Sequence, residues 1–194
     1  MAFIDEKKKE VNCKVVYFGP PLCGKSTSLR QIYANVKDNK RGELVSLSTG
    51  DDRTLYFDFI PLTIGQVNGF QLRLHVYTVP GEVAYDGARK LIAKGVDGVV
   101  FMADSQLEKM ELNLNAMMEL KEMLEADGID WDTFPMVIQY NKRDLANAVP
   151  IEEMRQLLNT RSVPDFETIA TRGAGVFDAL KVISATVFKG LKKA

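Results

Sequence analysis

The chain has 194 residues, 46% of them hydrophobic, and its 25 Lys and Arg against 26 Asp and Glu leave a formal charge of −1. That length suits a single domain spanning residues 1–194, and near-neutral charge removes the general reason to expect nucleic acid or a membrane surface as partner. Two cysteines are too few for a disulfide framework, Met1–Glu10 lacks a signal peptide's apolar core, and no apolar run reaches the about 20 residues of a membrane span.

Ala2 stands where myristoylation needs glycine, and the C-terminus carries no cysteine for prenylation, so no direct membrane anchor is expected. Cys13 and Cys23 read as reduced thiols, which fits a cytoplasmic setting.

The first element is a strand running to Phe18. It leads into Gly19-Pro20-Pro21-Leu22-Cys23-Gly24-Lys25-Ser26 and then a helix from Gly24 to about Asp38. This is the G-x-x-x-x-G-K-[ST] pattern between a strand and a helix, the setting that gives it meaning. Gly19 and Gly24 let the backbone turn tightly enough for successive N–H groups to form an anion nest, and the helix dipole adds positive charge there. Lys25 reaches terminal phosphates and the Ser26 hydroxyl suits Mg²⁺. Candidate phosphate contacts therefore run from Gly19, Pro20, Pro21, Leu22, Cys23 and Gly24 through Lys25 and Ser26 to Thr27.

Asn39–Asp52 reads as a long polar loop. Tyr56–Ile64 and Phe70–Val79 flank Asn68-Gly69, the strongest short hairpin signal, so they form an antiparallel pair. Pro61 marks the first as the sheet's edge. Pro80-Gly81 breaks the chain before a short helix of about Ala84–Lys94. Val99–Ala103 and Met136–Tyr140 are continuous apolar runs of central parallel strands. Leu107, Met110, Leu114, Met117 and Leu124 stripe one helix, Pro150 opens another to about Leu158, and Val176, Leu180, Ile183, Val187 and Leu191 stripe the last. Thr168-Ile169-Ala170 is a short strand. The expected fold is α/β: a mostly parallel six-stranded sheet with one antiparallel edge strand and helices on both faces. Ligands of such sheets sit beyond the strands' carboxyl ends, where these loops should converge.

Asn141-Lys142-Arg143-Asp144 follows a buried strand directly. The Asp144 carboxylate offers only acceptors, which suit the paired N1–H and N2–H donors of guanine and not adenine's N1 acceptor. Lys142 would lie along the base.

The phosphate loop, the hairpin, Pro80-Gly81 and Asn141–Asp144 together resemble a small Ras-like GTPase over nearly the whole chain. Asp52-Arg53-Thr54-Leu55-Tyr56-Phe57-Asp58, Thr78-Val79-Pro80-Gly81 and Gly95-Val96-Asp97-Gly98-Val99-Val100-Phe101 resemble the MglA family, bacterial GTPases of cell polarity and gliding direction. Most Ras-like proteins carry Asp-x-x-Gly where this chain has Thr-Val-Pro-Gly. The resemblance implies that GTP/GDP and Mg²⁺ are the ligands, with Thr54 on the metal beside Ser26 and Gly81 donating its N–H to the γ-phosphate. It makes Arg53 an arginine supplied in cis for the transferred phosphoryl. On residues alone, Arg53 reads as a solvated loop charge; the catalytic role comes from the resemblance. Ala170 and Thr171 would stand at the last base-contacting loop. A monomer is expected, with a Roadblock-type activator, polarity or motility effectors, and recruitment to a cell pole by those partners.

Three departures matter. Thr78 removes a charge from the outer Mg²⁺ shell. Pro21 crowds the position where attacking water and Arg53 meet. Glu82 replaces a glutamine that would orient water through both a donor and an acceptor; ionised, it either serves as a base or repels the γ-phosphate. Catalytic candidates are thus Arg53, Glu82 and Lys25, and slow hydrolysis is expected. The alternatives are a nucleotide-bound scaffold of the same fold and, less in keeping with the hairpin and Asn141–Asp144, a P-loop kinase for a small molecule. His75, Trp131 and the Met110, Met117, Met118 and Met123 cluster read as structural.

Overall fold

The computed structural model describes residues 3–48, 54–80, 87 and 94–191, and the backbone alone at 47, 48, 54–56 and 191. In chain order the strands are β1 Phe3–Asp5, β2 Glu10–Phe18, β3 Val45–Ser48, β4 Thr54–Val67, β5 Phe70–Thr78, β6 Gly98–Asp104, β7 Met136–Asn141 and β8 Asp165–Thr168. The helices are α1 Lys25–Asn35, α2 Met110–Ala126, α3 Ile151–Leu158 and α4 Val176–Leu191.

The strands form one sheet in the order β3-β4-β5-β2-β6-β7-β8, with β1 beside β2. Parallel pairing joins β5 to β2, β2 to β6, β6 to β7 and β7 to β8. Every residue of β6 and β7 is buried, as their unbroken apolar runs require between two helical layers. Alternation along β2 divides the core. Cys13, Val15 and Tyr17 pack with Leu29, Ile32 and the α4 stripe Val176, Leu180, Ile183 and Val187. Val16 and Phe18 pack on the opposite face with Leu120, Leu124, Met154 and Leu158 of α2 and α3.

The hairpin turn forms as its sequence demands. Asn68 and Gly69 have φ of 51° and 80°, and the residues flanking them, Val67 and Phe70, pair directly. Two positive φ values suit the twist of the flanking strands.

Among the described residues the sheet has eight strands where six were expected. β1 arises from the charged N-terminal segment, folded back through a turn in which the Lys8 N–H donates to Asp5 Oδ1 at 3.0 Å. It pairs Phe3–Asp5 with Glu10–Asn12, below the point where β6 joins β2 at Val15. β3 lies inside the stretch expected to be loop, and pairs with β4 through Val45–Phe59 and Ser46–Asp58. The upper part of β4 is therefore not the edge. Pro61 lies past this pairing; its carbonyl accepts from the Gly42 N–H at 2.8 Å, so the missing proline N–H faces outward beyond the end of β3.

Other boundaries shift slightly. α1 ends at Asn35 and a 3₁₀ turn follows at Asp38–Lys40, where the helix was expected to reach Asp38. The last strand is Asp165–Thr168, and Ala170–Arg172 is a 3₁₀ turn, not a continuation of it. The expected Ala84–Lys94 helix falls outside the described residues apart from Gly87 and Lys94. Among the described residues, no helix is long and apolar enough to cross a membrane.

Candidate functional site

Parallel register brings the ends of β2, β5, β6, β7 and β8 to one rim: Tyr17 pairs with Thr78, Phe18 with Phe101, Asp104 with Asn141, and Asn141 with Thr168. The loop Gly19–Gly24 closes over this rim from β2 and hands the chain to α1. Gly19 and Gly24 have φ of 147° and 111°. A Cβ on Gly19 would meet the Met102 carbonyl oxygen at 2.1 Å, and one on Gly24 would meet Asn141 Nδ2 at 2.3 Å. Both glycines are thus required by conformation and by space. Leu22 also takes a left-handed φ of 59°, with its side chain 64% exposed. Nothing in its residue type announces that.

Lys25 is buried, and its ammonium curls back to donate to the Gly19 carbonyl at 2.9 Å and the Pro20 carbonyl at 2.7 Å. A cation is therefore parked against the loop. α1 has no acidic residue in its first turn and no side-chain cap at Gly24. This donor set fits a phosphate, because the helix start meets an anion with dipole and ammonium and with no carboxylate in its own first turn. Cys23 is fully enclosed; burial pushes its thiol pKa up, against the smaller downward pull of Lys25. It is packing within the loop, not a reactive thiol.

Asn141, at the end of β7, ties three segments together. Its Nδ2 donates to the Cys23 carbonyl at 2.7 Å, while Oδ1 accepts from the Ala170 N–H at 2.9 Å and the Thr168 hydroxyl at 3.2 Å. The phosphate loop and both expected base loops thus share one buried amide. Gln31 of α1 adds a strut by donating to the Thr171 carbonyl at 3.1 Å. Lys142 adopts φ 67°, and its ammonium pairs with Asp104 at 2.6 Å. Asp144 stands on the rim, its carboxylate 4.0 Å from the Arg172 guanidinium.

Thr78, which replaces the aspartate common elsewhere, is fully buried. Its hydroxyl donates to Asp58 Oδ2 at 3.0 Å and accepts from the Asp58 N–H at 2.8 Å. Ser46 donates to the other carboxylate oxygen. A carboxylate is therefore present beside Thr78 after all, supplied from β4. Sequence reading passed over Asp58 because its pairing with Thr78 exists only once the hairpin forms. Among the described residues no group of three or more His, Cys, Asp or Glu could cage a metal ion. A divalent ion here would depend on hydroxyls, phosphate oxygens and water, as Mg²⁺ sites commonly do.

Of the sequence candidates, Gly19–Ser26, Asn141, Lys142, Asp144, Ala170 and Thr171 gather on this rim. Thr54 opens β4 with its backbone opposite Ser48, and its side chain is outside the described residues, as are Arg53, Gly81 and Glu82. The single histidine is structural in its contacts: His75 Nε2 meets Asn12 Oδ1 at 2.8 Å and the ring stacks on Phe59. Trp131 packs against the α2–α3 core under the Arg161 guanidinium.

Residues 2–192 match the profile of the ADP-ribosylation factor family. The chain is 54% identical over 193 residues to the mutual gliding-motility protein MglA of Myxococcus xanthus (strain DK1622), covering 100% of this chain and 99% of that one. It is 26% identical to the Ras-related protein Rab-7a of Dictyostelium discoideum, over 94% of this chain and 85% of the relative. With the human ADP-ribosylation factor-like protein 4A it shares 27% identity, over 74% of this chain and 64% of the relative.

Proposed function

The chain belongs to the MglA family of Ras-like small GTPases, and on that premise we propose that it is a GTP/GDP switch whose intrinsic hydrolysis is slow. The observation that carries the reading is Asn141, whose one side chain bonds the phosphate loop at Cys23 and the base side at Thr168 and Ala170. A nucleotide site needs its phosphate half and its base half at a fixed separation, and a buried amide bonded to both supports that use.

In this reading Lys25 leaves the Gly19 and Pro20 carbonyls for the terminal phosphates, and Gly19–Thr27 wraps them with the backbone N–H groups that all but Pro20 and Pro21 supply. Asp144 accepts from guanine N1–H and N2–H, Lys142 lies along the base, and Ala170 and Thr171 close over it. Ser26 and Thr54 would hold Mg²⁺, which when bound neutralises charge developing on the phosphates. Asp58, held by Thr78, would serve as the outer-shell carboxylate. Gly81 would donate its N–H to the γ-phosphate, so that its loop and that of Thr54 are ordered together and released on hydrolysis. Arg53 would stabilise the transferred phosphoryl; Glu82, lacking a donor, and Pro21, crowding the loop, are the grounds for a slow rate.

The name of the 54% identical relative supports a role in gliding motility. A Roadblock-type activator, effectors in polarity or motility machinery, and pole recruitment of a cytoplasmic protein complete the proposal, with residues 1–194 as one domain. The test is single-turnover GTP cleavage together with competition against labelled GTP. GDP should displace the label and ATP should not; Glu82→Gln should cleave faster than wild type, and Arg53→Ala slower. Equal displacement by ATP would sink the guanine assignment, and wild-type cleavage outpacing Glu82→Gln would sink the slow-hydrolysis reading.

A further inference from the structure

We propose that Asp104 and Asn113 are positioning residues for Lys142, setting how long guanine nucleotide stays bound without touching it. The proposal rests on reading Asn141–Asp144 as the base loop. A lysine is a long, flexible cation, and lying flat along a base would cost it rotamer freedom. Here that freedom is already removed. The Lys142 backbone is held at φ 67°, and its ammonium is fixed at the far end by Asp104 Oδ2 at 2.6 Å and Gln106 Oε1 at 3.4 Å. With both ends fixed, the aliphatic stem is stretched between them in advance of any ligand.

Asp104 is itself immobilised. Its side chain is 1% exposed, and its Oδ1 accepts from the Gln106 N–H at 3.1 Å. Asn113 clamps its backbone from α2: the Asp104 N–H donates to Asn113 Oδ1 at 2.9 Å, and Asn113 Nδ2 donates to the Asp104 carbonyl at 2.8 Å. Asn113 is fully buried on a helix whose other buried residues are Ala116, Leu120 and Leu124. An apolar residue would suit that stripe, so the amide is explained by what it bonds. The next residue locks the strand ends together, since the Ser105 N–H donates to the Asn141 carbonyl at 2.9 Å. The chain of contacts runs from α2 through Asn113 and Asp104 to Lys142.

The pair can be tested by the dissociation rate of a fluorescent GDP from the full chain, measured beside the melting temperature. Asp104→Asn keeps the shape and removes the charge that holds Lys142; it should speed dissociation about tenfold, and Asn113→Ala should do the same in the same direction. Because both act through Lys142, Asp104→Asn combined with Lys142→Ala should dissociate no faster than Lys142→Ala alone. Asn159→Ala is the control. It removes an amide that clamps Val163 by the same two-bond pattern at 2.8 and 2.9 Å, away from the rim, and should lower melting temperature with the rate unchanged. A rate within twofold of wild type for Asp104→Asn, multiplicative effects in the double variant, or equal acceleration by Asn159→Ala would overturn the proposal. If Lys142→Ala itself leaves GDP dissociation unchanged, the base-loop reading fails and the proposal falls with it.

Discussion

Truncating Asn141 to alanine removes three hydrogen bonds at once, of 2.7, 2.9 and 3.2 Å. The Thr168 hydroxyl keeps the Tyr140 carbonyl at 3.4 Å, so its loss is small. The Cys23 carbonyl and the Ala170 N–H lose this partner in a buried place, and each such loss costs about 1–3 kcal/mol. The sum is about 2–6 kcal/mol, a large share of the roughly 5–15 kcal/mol that holds a domain of this kind together. Urea unfolding should be followed twice, without nucleotide and at saturating GDP and Mg²⁺. The first series reads the intrinsic loss; the difference between the two reads binding. Asn141→Asp separates the phosphate-loop bond from the other two. It keeps an acceptor for Ala170 and Thr168 and sets a carboxylate oxygen against the Cys23 carbonyl, so its loss of nucleotide-free stability and of GDP-dependent stabilisation both read the phosphate-loop bond alone. An Asn141→Ala protein within about 0.5 kcal/mol of wild type without nucleotide, and binding GDP within twofold, would refute the assignment of Asn141 as the link between the two halves.

Two further predictions concern groups outside the loops. Asp58→Asn preserves the shape of the contact with Thr78 and Ser46 while removing charge; it should raise the Mg²⁺ concentration needed for half-maximal GDP retention several-fold and leave Mg²⁺-free dissociation alone. Superimposable Mg²⁺ titrations would count against a carboxylate role. His75 is held below its ordinary pKa of 6.5, first by burial and then by Arg73. The unfolded chain therefore takes up that proton first on acidification, so His75 contributes stability above pH 6.5 that is lost as pH falls toward the folded value. The stability gap between wild type and His75→Gln should narrow between about pH 7.5 and about pH 5.5; a constant gap would contradict the shift.

The residues by themselves determined the parts of this protein that depend on near neighbours. Gly19 and Gly24 with Lys25 announce a phosphate loop because the nest, the close approach and the ammonium all lie within seven residues. Asn68-Gly69 announces its turn because two adjacent positive φ values have few other hosts, and the buried runs of β6 and β7 announce a central parallel sheet. Two elements escaped that reading. β1, with three residues, and β3, with four, are too short to show a periodicity, and each forms because β2 or β4 presents an open edge for it to pair with. The site's internal wiring escaped as well, because its partners are remote in sequence. Asn141 meets Cys23 across 118 residues, Asp58 meets Thr78 across 20, and Lys142 meets Asp104 through an ion pair that α2 supports from behind. Each is a directional contact between groups whose type permits many partners. Only closing the sheet into one register selects which partner each one has.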